Sequence, residues 1–412
     1  MTLAMNTAAT EPGGLPEPEQ VFAFAEQEIR SAGTELWPGA ELTLGAHVPS
    51  VTGYVRPLRV DGRELCAKYS YLGVSLVSLL QGAGGDWTIV RETQQTYTAR
   101  PEALLTREAA QLRFLAALGR PKVCAVAGLR RGVLFTERVT GPPLADLLIE
   151  RPQEAPDLLE AAYGELHRLH DPRVSRGFDP AGVIGERSIA DTFRRKFNGL
   201  SGALYLDRLG VERCTERERP EITQLTEHAV RRLRRLRAVA TTSTRKALVY
   251  GDLKPEHVFF PNGPGSEPVF IDPGLLRATG PEADAAKLVS RTVLLLAACQ
   301  PPRNTSLRVL DGIAAFVEKR LRQLSRPDRS MWLHEFLILW MMDTVNILTT
   351  YLSADVGLPL PCQGEALVQQ AVTLSRMTDR ISAFLVGATD GTAALDRVLR
   401  EAATATAAAA AS

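Results

Sequence analysis

The sequence predicts an α+β fold of two lobes, a small β-rich N-terminal lobe and a large, mostly helical C-terminal lobe. Short apolar runs separated by turn residues lie between residues 41 and 69, a pattern typical of antiparallel strands. Long segments with helical apolar periodicity follow residue 144. The chain has 412 residues, and at about 150 residues per domain this length suffices for two such units.

The N-terminal lobe is predicted to span residues 21–140, after a flexible tail at residues 1–20. Its strongest signal is the Asp61-Gly62 dipeptide between two strand-like runs, which predicts a hairpin. One helix is expected, over residues 104–118, because its apolar residues recur at helical spacing. Strands are expected at residues 42–44, 54–60, 64–69 and 133–139.

The C-terminal lobe is predicted to span residues 141–401, followed by an Ala-rich tail at residues 402–412 without a packing face. Two short apolar runs, residues 247–250 and 268–271, interrupt its helical pattern. The turn sequence between them predicts that they pair as a hairpin within residues 247–274. Helices are expected at residues 282–298, 313–324, 330–352 and 365–386.

Composition and charge argue against several functions. Hydrophobic residues make up 45% of the chain and charged residues 23%, ordinary values for a globular protein. The 48 basic and 47 acidic residues nearly cancel, so we expect no nucleic-acid partner, since such partners are held mainly by neutralising phosphate charge. The five cysteines are far apart in the sequence, which excludes the usual zinc and redox spacings.

Neither a signal sequence nor a membrane span is predicted. The first residues lack a basic segment followed by an apolar one. The most apolar stretch, residues 336–348, is too short to cross a bilayer, so we interpret it as a buried helix. We therefore expect a cytoplasmic protein with reduced thiols and without a membrane partner.

Two acidic residues follow the two apolar runs of the predicted hairpin. Asp252 lies in the sequence YGDLKPEH, and Asp272 lies in IDPG, 20 residues further on. Phosphoryl transfer needs one carboxylate that orients the attacking hydroxyl and another that holds the Mg²⁺ bridging the nucleotide phosphates. Asp252 and Asp272 have the chemistry for these two tasks. No Walker motif is present, which sets aside the P-loop fold.

This pattern resembles the catalytic loop and metal-binding turn of the protein-kinase-like superfamily, and more closely its aminoglycoside-phosphotransferase branch, whose loop reads H-G-D-x-x-x-x-N. The resemblance implies a kinase-like fold with ATP and Mg²⁺ in the cleft between the lobes. It implies that Asp252 positions the hydroxyl, that Lys254 neutralises the transferred phosphoryl group, and that Asp272 binds Mg²⁺. His257 stands where the family places an Asn that ligates a second Mg²⁺.

Further residues complete the nucleotide site that this resemblance implies. Lys68 resembles the kinase lysine that holds the α- and β-phosphates, and Glu108 resembles the helix residue that pairs with it, although Glu102 is an alternative. The backbone at Glu137 and Val139 occupies the place of the hinge that would bind a purine. The loop at residues 45–53 either offers hydroxyl and N–H groups to phosphate from Ser50, Thr52 and Gly53 or is an ordinary hairpin loop.

In whole-chain appearance the sequence looks like the kinases of class V lanthipeptide and thioamitide biosynthesis. By that resemblance the substrate would be Ser or Thr of a ribosomal precursor peptide, and a separate lyase partner would then eliminate the phosphate. A small-molecule kinase of the aminoglycoside or sugar type is an alternative. A pseudokinase scaffold is another, because His257 and Pro273 depart from the family pattern. The Arg-rich run at residues 231–237 is either a solvated face or a site for an acidic partner.

Overall fold

An antiparallel sheet of five strands forms the N-terminal lobe, and helices form most of the C-terminal lobe. The computed structural model describes residues 14–240, 247–388 and 391–408, and it confirms the predicted two-lobed α+β fold. The strands in chain order are β1 (Leu42–Leu44), β2 (Tyr54–Val60), β3 (Arg63–Tyr69), β4 (Lys122–Val123), β5 (Val126–Arg130), β6 (Val133–Glu137), β7 (Ala247–Val249), β8 (Val258–Phe259), β9 (Val269–Phe270) and β10 (Leu276–Ala278). The N-terminal sheet has the order β1-β2-β3-β6-β5, so β3 lies at its centre.

The α-helices pack against this sheet and against one another. In chain order they are α1 (Pro18–Leu36), α2 (Leu76–Leu80), α3 (Trp87–Thr98), α4 (Leu104–Leu118), α5 (Leu144–Glu150), α6 (Ala155–Gly164), α7 (Pro172–Gly177), α8 (Ile189–Phe197), α9 (Gly199–Asp207), α10 (Arg219–Val239), α11 (Glu282–Cys299), α12 (Arg303–Arg322), α13 (Arg326–Leu352), α14 (Cys362–Gln369), α15 (Ala371–Gly387) and α16 (Gly391–Ala408).

Helix α1 was not expected from the sequence. A capping box and a proline in its first turn start the helix at Pro18, so the predicted tail is wrong for its last residues, and residues 1–13 lie outside the described part. Val21, Ala25 and Ile29 recur every four positions and are fully buried against the sheet. The prediction of a single N-lobe helix is also wrong, since α2 and α3 precede α4, whose predicted bounds are confirmed.

The two apolar runs predicted to pair with each other do not do so. Strand β7 pairs with β10, with Val249 opposite Leu276, whereas β8 and β9 form a separate hairpin with Val258 opposite Phe270. Strand β9 also pairs in parallel with β4. After Asp272 the chain therefore turns back to bring β10 beside β7, and this places Asp252 and Asp272 on adjoining loops.

The helical core of the C-terminal lobe is larger than the sequence indicated. Helices α12 and α13 begin earlier than predicted. The prediction started them too late because polar residues in their first turns obscure the apolar periodicity. The helix predicted at residues 365–386 is two helices, α14 and α15. Helix α16 continues to Ala408 with Ala402 and Ala405 buried. The Ala-rich tail prediction is therefore wrong for residues 402–408, and residues 409–412 lie outside the described part.

The apolar stretch at residues 336–348 is a buried segment of α13, as predicted. Its aromatic and aliphatic side chains pack against the neighbouring helices of the C-terminal lobe. Within the described ranges, none of the helices combines the length and the apolar character that crossing a lipid bilayer requires.

The packing of α1 predicts the effect of a cavity at Ile29. Ile29 is 0% exposed, whereas Ile89 on α3 is 49% exposed. Ile29→Ala should lower the free energy of unfolding by about 3 kcal/mol, since a buried cavity adds to the lost transfer free energy. Ile89→Ala should change it by about 0.5 kcal/mol or less. Urea denaturation followed by circular dichroism measures both, and equal losses would mean that α1 does not pack as described.

Candidate active site

Lys68 and Glu108 form an ion pair between the central strand of the N-terminal sheet and α4. The Lys68 Nζ lies 2.8 Å from Glu108 Oε1, and the Glu108 side chain is fully buried. Burial alone would raise the pKa of Glu108, but the positive charges of Lys68 and Arg187 outweigh it and lower that pKa, so the carboxylate is charged. Glu102, the alternative partner, is exposed in the turn before α4.

Arg187 was missed by the sequence analysis. Its Nη2 lies 2.6 Å from Glu108 Oε2, and its Nη1 donates to the carbonyl of Pro273. Glu108 is therefore shared between a lysine of the N-terminal sheet and an arginine of the C-terminal lobe. No local motif marks Arg187, because its two partners are 79 and 86 positions away in the sequence.

Helix α4 is fastened to the C-terminal lobe at two more points. The Gln111 side chain accepts from the Leu275 N–H at 2.8 Å and donates to the Gly182 carbonyl, and Arg107 forms a two-point ion pair with Glu186. One face of α4 therefore holds both the lysine of β3 and the segment that follows Asp272.

Asp272 lies in the same cluster as the Lys68–Glu108 pair. Its backbone φ is +57°, a left-handed conformation that turns the chain sharply after β9. The Lys68 ammonium also contacts its carboxylate, and His257 Nε2 lies 3.6 Å from Asp272 Oδ2. Burial and the nearby Lys254 lower the pKa of His257 well below its usual range, so the imidazole is neutral.

Asp252 is held between two lysines. Lys254 Nζ lies 3.0 Å from Asp252 Oδ2, and Lys287 Nζ lies 3.0 Å from Asp252 Oδ1. Burial would raise the pKa of Asp252, but the charges of Lys254 and Lys287 outweigh it and lower that pKa well below its usual range. The sequence analysis expected Lys254 near Asp252 but did not identify Lys287 of α11.

The backbone around Asp252 is bound tightly to the Asp272 segment. Gly251 has φ +78°, and a Cβ there would lie 2.0 Å from the Gly274 carbonyl oxygen, so only glycine fits. The Tyr250 hydroxyl donates to the Ile271 carbonyl at 2.8 Å. Asp284 of α11 accepts from the N–H groups of Tyr250 and Gly251 at 2.8 and 2.7 Å.

The donor set at Asp272 fits a magnesium ion held partly by a bound nucleotide. Mg²⁺ prefers oxygen ligands and is usually bound through one or two carboxylates plus substrate phosphates. Asp272 offers such a carboxylate, whereas the His257 nitrogen is a poorer ligand for this hard cation. In the part of the chain that the structure describes, no group of three or more His, Cys, Asp or Glu side chains could form an all-protein metal site.

The loop between β1 and β2 carries the three predicted phosphate-binding residues. The Ser50 and Thr52 hydroxyls lie 3.2 Å apart, and the Thr52 N–H donates to Ser50 Oγ at 3.2 Å. Gly53 packs against the end of β3, where a Cβ would lie 2.9 Å from the Tyr69 carbonyl oxygen. The loop is therefore next to the strand that carries Lys68.

Of the predicted hinge residues, Glu137 is the last residue of β6 and Val139 follows the strand. The Glu137 side chain pairs with Arg63, whose Nε lies 2.8 Å from Glu137 Oε1, and the Glu137 N–H donates to the Ala125 carbonyl at 2.9 Å. Val139 and Ile271 pack against one small apolar cluster, which lies beside the Asp272 turn. That cluster consists of Leu105, Ala109, Leu112, Cys124 and Leu134.

Several solved structures resemble this chain. The aminoglycoside-3'-phosphotransferase of type VIII is 22% identical, with 79% of this chain and 98% of that chain covered and a TM-score of 0.44. The microcompartment-associated aminopropanol kinase is 13% identical, with 88% and 96% covered and a TM-score of 0.49. A choline kinase from Cryptosporidium parvum Iowa II is 12% identical, with 86% and 95% covered and a TM-score of 0.47. None of the curated proteins compared with the chain matches it.

The sequence itself matches a known family over more than half of its length. The match to the phosphotransferase enzyme family (APH) covers residues 77–321. This range contains Glu108, Arg187, Asp252 and Asp272, whose side chains the fold brings together. The chain belongs to the phosphotransferase enzyme family and is a phosphotransferase that acts on hydroxyl groups.

Proposed function

We propose that this phosphotransferase is an ATP-dependent kinase whose acceptor is Ser or Thr of a ribosomal precursor peptide. The observation that carries the proposal is a charged Asp252 beside Lys254, adjoining the cluster of Lys68, Glu108 and Asp272. In this arrangement one carboxylate serves the acceptor and another serves the nucleotide, which is the division of labour that phosphoryl transfer requires.

On the nucleotide side, Lys68 held by Glu108 would bind the α- and β-phosphates, and Asp272 would hold Mg²⁺ with His257 adjacent. When bound there, Mg²⁺ would neutralise the charge that develops on the phosphoryl group during transfer. A purine would lie against Val139 and bond to the backbone of the hinge. Loop residues Ser50, Thr52 and Gly53 would contact the phosphates from the N-terminal lobe.

On the acceptor side, Asp252 would accept a hydrogen bond from the attacking hydroxyl and take its proton as the new O–P bond forms. Asp252 is ionised, because the charges of Lys254 and Lys287 lower its pKa, so its oxygens can accept this hydrogen bond. Before this step Lys254 would leave Asp252 Oδ2 for the oxygens of the phosphoryl group to be transferred, whose charge it would neutralise. The leaving group is the nucleoside diphosphate.

The charge around Asp252 supports a peptide rather than a polycationic acceptor. The three cations of this network, Lys254, Lys287 and Arg291, are balanced by three carboxylates, Asp252, Asp343 and Glu256. The network therefore carries no surplus negative charge to attract a polycationic aminoglycoside. A Ser or Thr side chain on a neutral peptide needs no such surplus, and a phosphorylated Ser or Thr is a suitable substrate for a lyase that eliminates phosphate.

Asp252→Asn tests the role of the proposed acceptor-orienting carboxylate. The amide cannot accept the hydroxyl proton, so turnover should fall by about 10³-fold, while ATP affinity measured by calorimetry stays unchanged. Asp311→Asn on the exposed face of α12 is the matched control and should leave turnover as it is. Wild-type turnover in the Asp252 variant would refute the proposed role of this residue.

Metal dependence tests the proposed role of Asp272. EDTA should stop ADP production, and added Mg²⁺ should restore it. Asp272→Asn should raise the Mg²⁺ concentration for half-maximal rate by at least about tenfold, because a ligating oxygen is lost. An unchanged Mg²⁺ requirement in this variant would exclude Asp272 as the metal ligand, and ADP production without any divalent cation would contradict the proposed chemistry.

Acceptor preference tests the substrate class. Phosphate incorporation is compared for a Ser/Thr-rich precursor peptide, an aminoglycoside and a hexose under the same conditions. We expect the peptide to be phosphorylated and the aminoglycoside to be neither a substrate nor an inhibitor. The same peptide with Ala in place of Ser and Thr is the control. Preferential phosphorylation of the aminoglycoside or the hexose would assign the chain to small-molecule kinases.

A further inference from the structure

Asp252 is contacted by two lysines from different elements, and their surroundings differ. We propose that Lys287 of α11 is a positioning residue that holds Asp252 in place for the acceptor hydroxyl while Lys254 moves to the transferred phosphoryl group. This inference rests on the proposed role of Asp252. It assigns separate tasks to two side chains of the same type on one carboxylate.

Helix α11 places two oppositely charged groups against the catalytic loop. Asp284 and Lys287 are three positions apart, so they lie on the same face of the helix. Asp284 accepts from the backbone N–H groups of Tyr250 and Gly251, and Lys287 contacts the side chain of Asp252, the next residue. A single helix face therefore holds both the backbone before Asp252 and its carboxylate.

The ammonium of Lys287 is held from three sides. Nζ lies 3.0 Å from Asp252 Oδ1 and 3.8 Å from Asp343 Oδ1, and it donates to the Arg187 carbonyl at 3.2 Å. Asp252 and the Arg187 carbonyl lie within hydrogen-bond distance of Nζ, and Asp343 adds a second negative charge beyond that distance. Lys287 is 4% exposed, and moving its charge away from these partners would leave a buried ion unpaired.

Asp343 is itself anchored, so the position of Lys287 does not depend on Asp252 alone. Arg291, one turn after Lys287 on α11, lies 2.6 Å through Nε and 3.3 Å through Nη2 from the two oxygens of Asp343. Both Arg291 and Asp343 are buried. This two-point ion pair joins α11 to α13 and gives Lys287 a partner that stays in place throughout the reaction.

Lys254 has a different environment. Within the described ranges its one ion-pair partner is Asp252, and its side chain is 18% exposed against 5% for Lys287. Lys254 follows Asp252 by two residues on the same loop. Since an ammonium has three N–H donors and Asp252 is its one ion-pair partner in the described ranges, donors remain available for phosphate oxygens. When Lys254 turns to a phosphoryl group, Asp252 Oδ2 becomes free for the acceptor while Oδ1 stays bound to Lys287.

Two separate tasks predict two separate kinetic defects. Loss of Lys254 leaves the negative charge of the transferred phosphoryl group without its neutralising partner. The rates of transfer to the acceptor and of transfer to water should therefore fall together. Loss of Lys287 leaves the phosphoryl site intact but lets the Asp252 carboxylate rotate. The acceptor is then misaligned, and misplacement by about 1 Å can cost on the order of 10²-fold in rate, whereas hydrolysis by water has no such requirement.

The experiment compares Lys287→Met, Lys287→Arg and Lys254→Met in the full chain, with Lys319→Met as the surface control. Lys319 is on α12, with a 55% exposed side chain. For Lys287→Met we expect kcat for acceptor phosphorylation to fall by about 10²-fold, KM for ATP to stay unchanged, and the ratio of ATP hydrolysed to acceptor phosphorylated to rise. Lys287→Arg should recover part of kcat, because it retains the charge.

Thermal melting of each variant checks that it is folded. If Lys287→Met does not fold, Lys287→Arg and Asp343→Asn take its place: both should raise the hydrolysis-to-transfer ratio, since the first moves the cation and the second removes its anchor. An unchanged ratio in the folded variants, or hydrolysis and transfer falling equally with a raised KM for ATP, would overturn the inference. If Asp252→Asn abolishes turnover while Lys287→Met leaves the ratio unchanged, only this inference fails. Full turnover in Asp252→Asn would instead refute the proposed function.

Discussion

The geometry of the candidate active site depends on the fully buried carboxylate of Glu108. One of its oxygens pairs with Lys68 of the N-terminal sheet and the other with Arg187 of the C-terminal lobe. A buried charge is tolerated when its partners stay close, and losing either partner would leave an unpaired ion in a low-dielectric interior. The two ion pairs that keep Glu108 ionised therefore also fix the relative positions of β3, α4 and the loop after Asp272.

At Asp252, helix α11 has the corresponding role. It holds the Asp252 loop through Asp284 and Lys287, and it is tied to α13 by Arg291 and Asp343. Buried polar groups cost free energy unless they are satisfied, and these groups satisfy one another in a chain. These contacts fix the orientation of the Asp252 carboxylate, and the proposed role requires this because orientation contributes strongly to rate.

Local sequence patterns predicted part of the candidate site. The residues that they missed are those whose partners lie far away in the sequence. Lys68, Glu108 and the two aspartates could be identified because motif spacing places them on recognisable strands, helices and turns. Arg187 and Lys287 could not, because their partners are distant in the sequence and come together only in the folded chain. The pairing of β7 with β10 was missed for the same reason. Helix α1 is different, since its buried residues recur at helical spacing and the signal was present in the sequence.

The departures from the family loop keep the contacts that hold the two carboxylates. Tyr250 stands in place of a leading His, and its hydroxyl donates to the carbonyl just before Asp272. Pro273 lacks an N–H, but its carbonyl accepts from Arg187, which also binds Glu108. His257 is neutral, so it lies between the carboxylates of Asp252 and Asp272 without adding a charge to them. Each substitution changes a donor or an acceptor but keeps the contacts among the Asp252 loop, the Asp272 turn and the ion pair of Arg187 with Glu108. The preserved contacts favour an active enzyme over a pseudokinase.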